Sequence, residues 1–249
     1  MFDLNIITCS ATSSRLSRLL ISLQPLLNHP LLNNIFLFCK YDKEFLNLKP
    51  VFSLWPSHVQ IIYPILSRNI RAVHPGKFSI LQLIDMQPDI FFPARHLTAA
   101  ELSLLCKHRC SLANVTNPTL ILEDDAILEL YMIDYLLTLI SYSSQHDTFI
   151  DLGSMNGLSA IGRRIQIGNN YNAYFSHIGL TRTTGAFIVT PLVAAKLLKN
   201  YEPISLPADL HHQYLLCVQG IPGIWPDRLI FKNISGSSDC PSAIQNQNV

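Results

Sequence analysis

Three consecutive acidic residues, Glu123, Asp124 and Asp125, are the feature of this sequence that most directly suggests chemistry. They follow an apolar and β-branched run, residues 119–122, which predicts a buried strand. Adjacent carboxylates at a strand end repel one another unless something positive joins them, and strand ends are where α/β sheets bind ligands. A hard divalent cation that bridges to a diphosphate would be such a partner. The alternative is an acidic turn in which Asp125 caps a helix starting near Ala126.

The segments around this cluster predict an α/β protein. Strands are predicted at 4–8, 34–38, 58–63, 148–152 and 185–189, and helices at 13–27, 98–114 and 126–140. Thr98 and Glu101 form a capping box at the start of the second helix, and Pro191 opens a further helix. In the first helix, leucines occupy one face and Arg15 is available for another. This order is typical of a Rossmann-like nucleotide-binding half, although the sequence contains neither a Gly-x-Gly-x-x-Gly motif nor a Walker loop.

Three stretches are predicted to lie outside these elements. Residues 67–94 combine Pro and Gly with basic side chains and contain a short predicted helix near 78–86. Residues 156–177 are polar and glycine-bearing with no clear period, which makes them a candidate active-site loop. The polar segment 236–249 is predicted to be a tail, so the folded domain is expected to span residues 1–235.

The composition excludes some classes of protein. Lys and Arg number 18 against 17 Asp and Glu, so the net charge of +1 creates no global field that would attract nucleic acid. Hydrophobic residues make up 49% of the chain, which favours a buried parallel sheet. The sequence has no apolar run long enough to span a bilayer and no signal-peptide pattern, so a cytoplasmic location is expected. The six cysteines form no C-x-x-C pair, which favours reduced thiols over a zinc site.

Three segments carry a resemblance to a known family. These are residues 97–108, residues 120–126 with the acidic triplet, and residues 183–198 followed by the Pro-x-Asp element at 207–209. Together they resemble motifs of glycosyltransferase family 25, which contains bacterial lipopolysaccharide galactosyltransferases and the collagen galactosyltransferases. The resemblance implies a GT-A-like, Rossmann-related single domain with a mixed, mostly parallel central sheet flanked by helices.

The resemblance also implies an inverting transfer of a sugar from a nucleotide sugar, with UDP-galactose as the expected donor. The expected acceptor is a glycan or lipid-linked glycan of lipopolysaccharide or surface-glycan biosynthesis. Asp124 and Asp125 are expected to hold Mn²⁺ or Mg²⁺ against the diphosphate, and Asp209 is expected to act as the general base. The expected substrate-binding residues are Glu123, His108 and Arg182.

Most of these residues have a plainer alternative. Asp209 could be the N-cap of the helix that follows it, His108 a packing residue within its helix, and Arg182 a solvated surface residue. His211 and His212 could complete the metal shell.

Two other functions are compatible with the same residues. Clustered acids also serve metal-dependent phosphoesterases, which would recruit Asp151 and Asp209. A degenerate, non-catalytic glycan- or nucleotide-binding protein is the third possibility. The apolar composition fits either a fully soluble enzyme or one that contacts the inner membrane face through an exposed apolar patch.

Overall fold

A computed structural model of the chain describes residues 1–8, 13–39, 59–62, 97–153, 162–177, 179, 181, 183–202, 204 and 206–234. Its strands are β1 (Phe2–Ile7), β2 (Leu32–Phe38), β3 (Val59–Ile62), β4 (Thr119–Glu123), β5 (Ala126–Leu128), β6 (Phe149–Asp151), β7 (Arg163–Ile167), β8 (Tyr171–Ser176), β9 (Ala186–Val189), β10 (Gly223–Pro226) and β11 (Phe231–Asn233). Its helices are α1 (Ser13–Leu27), α2 (Ala99–Ala113), α3 (Ile133–Ser143), α4 (Pro191–Lys199) and α5 (Ala208–Val218), and Leu130–Met132 form a 3₁₀ turn.

Nine of the strands form one sheet in the order β3-β2-β1-β4-β9-β6-β10-β8-β7. The first four strands of this order run parallel to one another. Strand β9 runs antiparallel to its neighbours β4 and β6, and β8 runs antiparallel to β10 and β7. All the other strands of the sheet therefore point the same way, and the sheet is mixed but mostly parallel.

Helices cover both faces of this sheet because the strand residues alternate between two cores. Leu120 and Leu122 of β4 face one core, together with apolar side chains of α1 and α3. Ile121, between them, faces the other core, which contains side chains of α2, α4 and α5. The predicted fold class, a mixed and mostly parallel sheet flanked by helices, is confirmed. None of the described helices is long and apolar enough to cross a membrane.

Local predictions hold best in the parallel half of the sheet and at the helix starts. Helix α1 spans the predicted residues 13–27. Thr98 and Glu101 form both hydrogen bonds of the capping box at the start of α2. Pro191 is the first residue of α4, and the Thr190 side chain accepts a hydrogen bond from the backbone N–H of Val193.

The helix predicted at 126–140 is wrong in its first half. Residues Ala126–Leu128 form β5, which pairs antiparallel with β11, and the helix α3 begins only at Ile133. An apolar run does not distinguish a helix from a strand, and here a partner strand about a hundred residues later in the chain decides the outcome. The alternative in which Asp125 caps a helix is therefore also wrong.

The active-site loop predicted at 156–177 is likewise wrong for its second part, where β7 and β8 form a hairpin. Gly168 adopts a φ of 61° in the turn between them, a left-handed conformation that favours glycine. Strand β7 is at the edge of the sheet, where Arg163 and Arg164 are exposed, and its apolar residues are Ile165 and Ile167, which face one core. Residues 154–161 and the whole of 67–94 lie outside the described residues, as does the predicted tail.

Candidate functional site

The candidate site lies at the edge of the sheet where the parallel strands end. Ile7 pairs with Glu123, so β1 and β4 end side by side. Because β9 is antiparallel to β4, its first residues lie at this same edge, next to the end of β4. Strand β6 also ends here, at Asp151, whose Oδ1 accepts a hydrogen bond from the backbone N–H of Gly153. Open α/β sheets bind ligands at this edge.

The first acid of the triplet, Glu123, is held by two side chains from other elements. Its Oε1 lies 3.0 Å from Nε2 of His108, which extends from the middle of α2. The hydroxyl of Thr184 lies 2.7 Å from the same oxygen. His108 and Thr184 are buried, and Glu123 is nearly so. Glu123 and His108, both predicted as substrate-binding residues, are therefore neighbours.

Thr184 also connects this pair to Asp209, the predicted base. Its hydroxyl lies 2.9 Å from Oδ1 of Asp209, and its backbone N–H donates to the same oxygen at 3.3 Å. We call His108, Glu123, Thr184 and Asp209 the acidic network. The N-cap of α5 is Pro207 and Asp209 is the second residue of the helix, so the alternative in which Asp209 is the N-cap is wrong.

Asp209 differs from the rest of the network because solvent reaches it. The protein atoms that surround its carboxyl group still disfavour a charge there, and the negative charge of Glu123 adds to this effect, so the pKa of Asp209 is raised. The two hydrogen bonds from Thr184 and the nearby His108 act in the opposite direction and lower this pKa. A carboxyl group that has a raised pKa and belongs to an exposed residue fits the requirements for a general base.

The second acid, Asp124, faces a cation of the protein. Nη1 of Arg15, at the start of α1, lies 3.9 Å from Oδ1 of Asp124, and both side chains are buried. The prediction left Arg15 on a polar face of its helix, but the structure buries it at the site. Lys107 is also buried, and its Nζ donates to the backbone oxygen of Thr8 at the end of β1, at 2.5 Å. Two basic side chains thus reach the edge where the acids lie.

The third acid, Asp125, is joined to the second, smaller sheet. Its backbone oxygen accepts a hydrogen bond from Ile234, just after β11, at 3.0 Å, and its side chain is buried. Asp124 and Asp125 provide carboxylate oxygens, the ligands that hard divalent cations prefer. No group of three or more potential ligands occurs within the described residues. Mg²⁺ is usually held by one or two carboxylates together with substrate phosphates, so these two acids fit a cation that arrives with a diphosphate.

His211 and His212 lie in a separate group, which we call the histidine–aromatic cluster, with Tyr201, Phe187 and Phe149. Nε2 of His211 donates to the backbone oxygen of Tyr201 at 2.9 Å, and the His212 ring stands edge-on to Phe187 at 5.5 Å. Burial lowers the pKa of His211 to about 4 and that of His212 well below its ordinary value. Their described contacts are those of packed residues and do not include Asp124 or Asp125. His108 adjoins this cluster, 5.0 Å from the His212 ring.

Sequence reasoning assigned no role to Thr184, Arg15 or Lys107, although all three contact the site. Thr184 belongs to the segment 183–198, one of the three that carry the resemblance, and Lys107 directly precedes His108 in another of them. For Arg15 the available signal was its position, since it is a basic residue at the start of α1, shortly after the first strand. Arg182, the remaining predicted substrate-binding residue, lies outside the described residues.

No protein-family model matches this chain, and no curated protein sequence matches it. Among solved structures it is similar to mouse xyloside xylosyltransferase 1 in its apo form, with 11% identity, a TM-score of 0.46, and coverage of 87% of this chain and 81% of that one. It is also similar to S. aureus TarS in complex with UDP-GlcNAc, with 12% identity and a TM-score of 0.48. That alignment covers 93% of this chain and 58% of the TarS chain, so this chain spans less than two thirds of that structure. A third similar structure is mannose-1-phosphate geranyltransferase from Thermus thermophilus, with 11% identity, a TM-score of 0.41, and coverage of 93% and 75%.

Proposed function

We propose that this protein is a glycosyltransferase that moves a sugar from a nucleotide-sugar donor to a hydroxyl group of a glycan acceptor. One observation carries the proposal: the fold brings Asp209 to the acids at the end of β4, where Thr184 contacts both Asp209 and Glu123. A transferase of the inverting type needs a carboxylate base close to the site where the donor is held. The exposed base and the nearly buried Glu123 supply these two features side by side.

In the proposed reaction, Asp209 accepts the proton of the acceptor hydroxyl while the oxygen of that hydroxyl attacks the anomeric carbon. The bond between the anomeric carbon and the diphosphate oxygen breaks, and the nucleoside diphosphate leaves with the electron pair. Glu123 accepts hydrogen bonds from ribose or donor-sugar hydroxyls, because an ionised carboxylate is an acceptor only. His108 holds Glu123 in position through the 3.0 Å contact with its Oε1.

The leaving diphosphate needs compensation for its negative charge. Arg15 and Lys107 bring two positive charges to the edge where it would lie. Mn²⁺ or Mg²⁺, held by Asp124 and Asp125, would act as a Lewis acid toward the diphosphate when bound. The side chains of Arg15 and Lys107 also limit the repulsion among the acids before the donor arrives.

The finer assignment follows the sequence resemblance to glycosyltransferase family 25. It gives galactose as the transferred sugar, UDP-galactose as the donor and lipopolysaccharide or another surface glycan as the product. A nucleotide-sugar donor is in keeping with the similarity to TarS, whose structure contains UDP-GlcNAc. The described site contains Asp151 at the same edge, but no observation favours hydrolysis of a phosphate ester over transfer.

A thermal-shift screen tests this function. Nucleoside diphosphates and nucleotide sugars are added with and without Mn²⁺, and a ligand that binds only the folded state raises the melting temperature. We expect UDP and UDP-galactose to stabilise the protein, with a larger shift in Mn²⁺, and UDP-galactose to be consumed when a glycan acceptor is present. Absence of a shift with every nucleotide, together with release of phosphate from a simple ester, would favour a phosphoesterase. Binding without turnover would favour a non-catalytic nucleotide-binding protein.

We also propose that the enzyme works in the cytoplasm, where nucleotide sugars are made, in peripheral contact with the inner membrane face. Leu130 and Tyr131, in the 3₁₀ turn after β5, are 57% and 73% exposed and could take part in such a contact. Fractionation of cells at low and high salt tests this idea. Protein that remains in the membrane fraction at high salt supports an apolar contact, and release by salt indicates an electrostatic one. Protein that is entirely soluble at both salt concentrations contradicts it.

A further inference from the structure

The hydroxyl of Thr184 lies between two carboxyl groups that come from different parts of the chain. It is 2.7 Å from Oε1 of Glu123, at the end of β4, and 2.9 Å from Oδ1 of Asp209, in the first turn of α5. Thr184 itself is 2% exposed. Both distances are those of O–H···O hydrogen bonds, so either carboxyl group is a suitable acceptor for the hydroxyl.

A threonine hydroxyl carries one hydrogen and can therefore donate to only one of these acceptors at a time. Each carboxyl group keeps another polar partner when the Thr184 hydroxyl donates to the opposite carboxyl group. Asp209 keeps the hydrogen bond from the backbone N–H of Thr184, and Glu123 keeps its contact with His108. Rotation of a single side chain thus redistributes one hydrogen bond between the two carboxyl groups.

The direction of this hydroxyl affects how strongly Asp209 holds a proton. Surrounding protein atoms and the charge of Glu123 raise the pKa of Asp209, whereas the hydrogen bonds from Thr184 lower it. When the hydroxyl donates to Asp209, the ionised carboxylate is favoured and the base is ready to accept a proton. When the hydroxyl donates to Glu123, that contribution is lost and Asp209 holds its own proton more readily.

We propose that Thr184 is a positioning residue that couples the donor side of the site to the base. In the empty site its hydroxyl donates to Glu123. Donor hydroxyls that bind Glu123 replace this hydrogen bond, and the Thr184 hydroxyl then turns to Asp209. The proton that Asp209 releases passes to solvent, which its exposed side chain contacts. This inference rests on the proposed function, in which Glu123 binds the donor and Asp209 is the base.

The test compares Thr184→Val, which removes the hydroxyl and keeps the shape, with Thr184→Ser, which keeps the hydroxyl. The neighbouring Thr183→Val is the matched control. The hydroxyl of Thr183 accepts from the backbone N–H of Gly185, and the backbone oxygen of Thr183 accepts from the Thr181 hydroxyl, so these contacts involve neither carboxyl group. Carbon-13 NMR follows the titration of the Asp209 carboxyl group, with the signal assigned by its loss in Asp209→Asn. Each protein is titrated alone and with UDP-galactose in the absence of an acceptor.

In wild type, Thr184→Ser and Thr183→Val, UDP-galactose should lower the titration midpoint of Asp209. In Thr184→Val the ligand-free midpoint should be close to that of ligand-free wild type, because the hydroxyl faces Glu123 in the empty site, and UDP-galactose should no longer lower it. The acid limb of the kcat profile, which reports the donor-bound enzyme, should move to higher pH in this variant. The value of kcat should fall by roughly tenfold to one-hundredfold, with little change in the donor KM. If Thr184→Val does not fold, Thr184→Ala, which also removes the hydroxyl, replaces it, and UDP-galactose should then also lose its effect on the Asp209 midpoint.

An equal response of wild type and Thr184→Val to UDP-galactose overturns the coupling. A clearly higher midpoint in ligand-free Thr184→Val overturns it as well, because the hydroxyl would then already donate to Asp209 in the empty site. Failure of the proposed function gives a different result. In that case wild type neither binds UDP-galactose nor transfers sugar, and the donor-dependent coupling is overturned with it.

Discussion

Two groups of polar side chains meet at His108, and they differ in the partners and the solvent access of their ionisable members. In the acidic network, Glu123 and Asp209 form hydrogen bonds with other polar side chains, and Asp209 is an exposed residue. In the histidine–aromatic cluster, His211 and His212 are fully buried among aromatic rings, and burial lowers both pKa values. A side chain that exchanges protons or binds a ligand needs polar partners and access, whereas a side chain that only packs is held neutral by desolvation.

Asp125→Ala should have the largest effect on activity. It should abolish transfer without a comparable loss of stability. We expect transfer to fall below detection, because a ligand of the proposed cation is lost. The melting temperature should change little, because the hydrogen bond that joins this residue to Ile234 uses its backbone oxygen. Asp134→Ala, at the exposed start of α3, is the control and should retain transfer. Near wild-type turnover of Asp125→Ala in limiting Mn²⁺ would mean that the metal site is elsewhere.

Asp209→Asn should reduce turnover by roughly 10²- to 10⁴-fold, the usual contribution of general acid–base catalysis. Asparagine keeps an oxygen that can accept from Thr184 but cannot take the acceptor proton. Donor affinity, measured by calorimetry, should stay close to that of wild type, as should the melting temperature. A folded variant with an unchanged rate would move the base to another residue, with Asp151 the next candidate.

Arg15→Met should affect stability rather than catalysis alone, because it leaves Asp124 buried without the guanidinium that faces it. Breaking one side of a buried ion pair typically costs about 3–5 kcal/mol, and the 3.9 Å separation places the expected loss near the lower limit. Urea unfolding measures this change. The control is Arg18→Met on the same helix, where the side chain is exposed and the loss should be below about 1 kcal/mol. Equal losses in the two variants would show that the Arg15–Asp124 pair contributes little.

His211→Gln should have the smallest effect, and that effect should depend on pH. An imidazole whose pKa falls from 6.5 to about 4 on folding contributes stability that is complete above pH 6.5 and is lost as the pH falls towards 4. Glutamine does not titrate and can still donate to the oxygen of Tyr201. The unfolding free energy of the variant should therefore fall less steeply with decreasing pH, by up to about 1.4 kcal/mol per pH unit. Parallel curves for the variant and wild type across this window would contradict the assignment.

The parallel half of the fold could be predicted from the sequence because its central strands, β1 and β4, are buried on both faces. Such strands appear in a sequence as short, mostly apolar runs, and residues 4–8 are an example. The hairpin β7–β8 was missed because its edge strand exposes arginines, and only Ile165 and Ile167 alternate with its polar residues. Strand β5 was missed because only its pairing with β11 distinguishes it from the start of a helix. In both cases a contact that is distant in the sequence, or an exposed edge, determines the structure.

The candidate site shows the same division between local and distant information. The acidic triplet could be recognised from local sequence, since three adjacent carboxylates at a strand end have few purely structural uses. Thr184 could not, because a threonine before a strand is common and its importance arises only where β4 and α5 approach it. The contribution of helix α2 to the site was hard to recognise for a related reason. The buried face of this helix includes Lys107, His108 and Ser111, so the helix has no continuous apolar stripe.

The pairing of β5 with β11 has a consequence for the order of events during synthesis. The segment that continues from the acidic triplet is completed by a strand that emerges from the ribosome about a hundred residues later. Closing so long a loop is slow compared with forming the neighbouring helices. The triplet should therefore reach its final arrangement only after β11 has been made, and nascent chains arrested before that strand should bind nucleotide sugars more weakly than chains arrested after it. The order of the strands along the chain thus determines when, during synthesis, the protein becomes able to bind its donor.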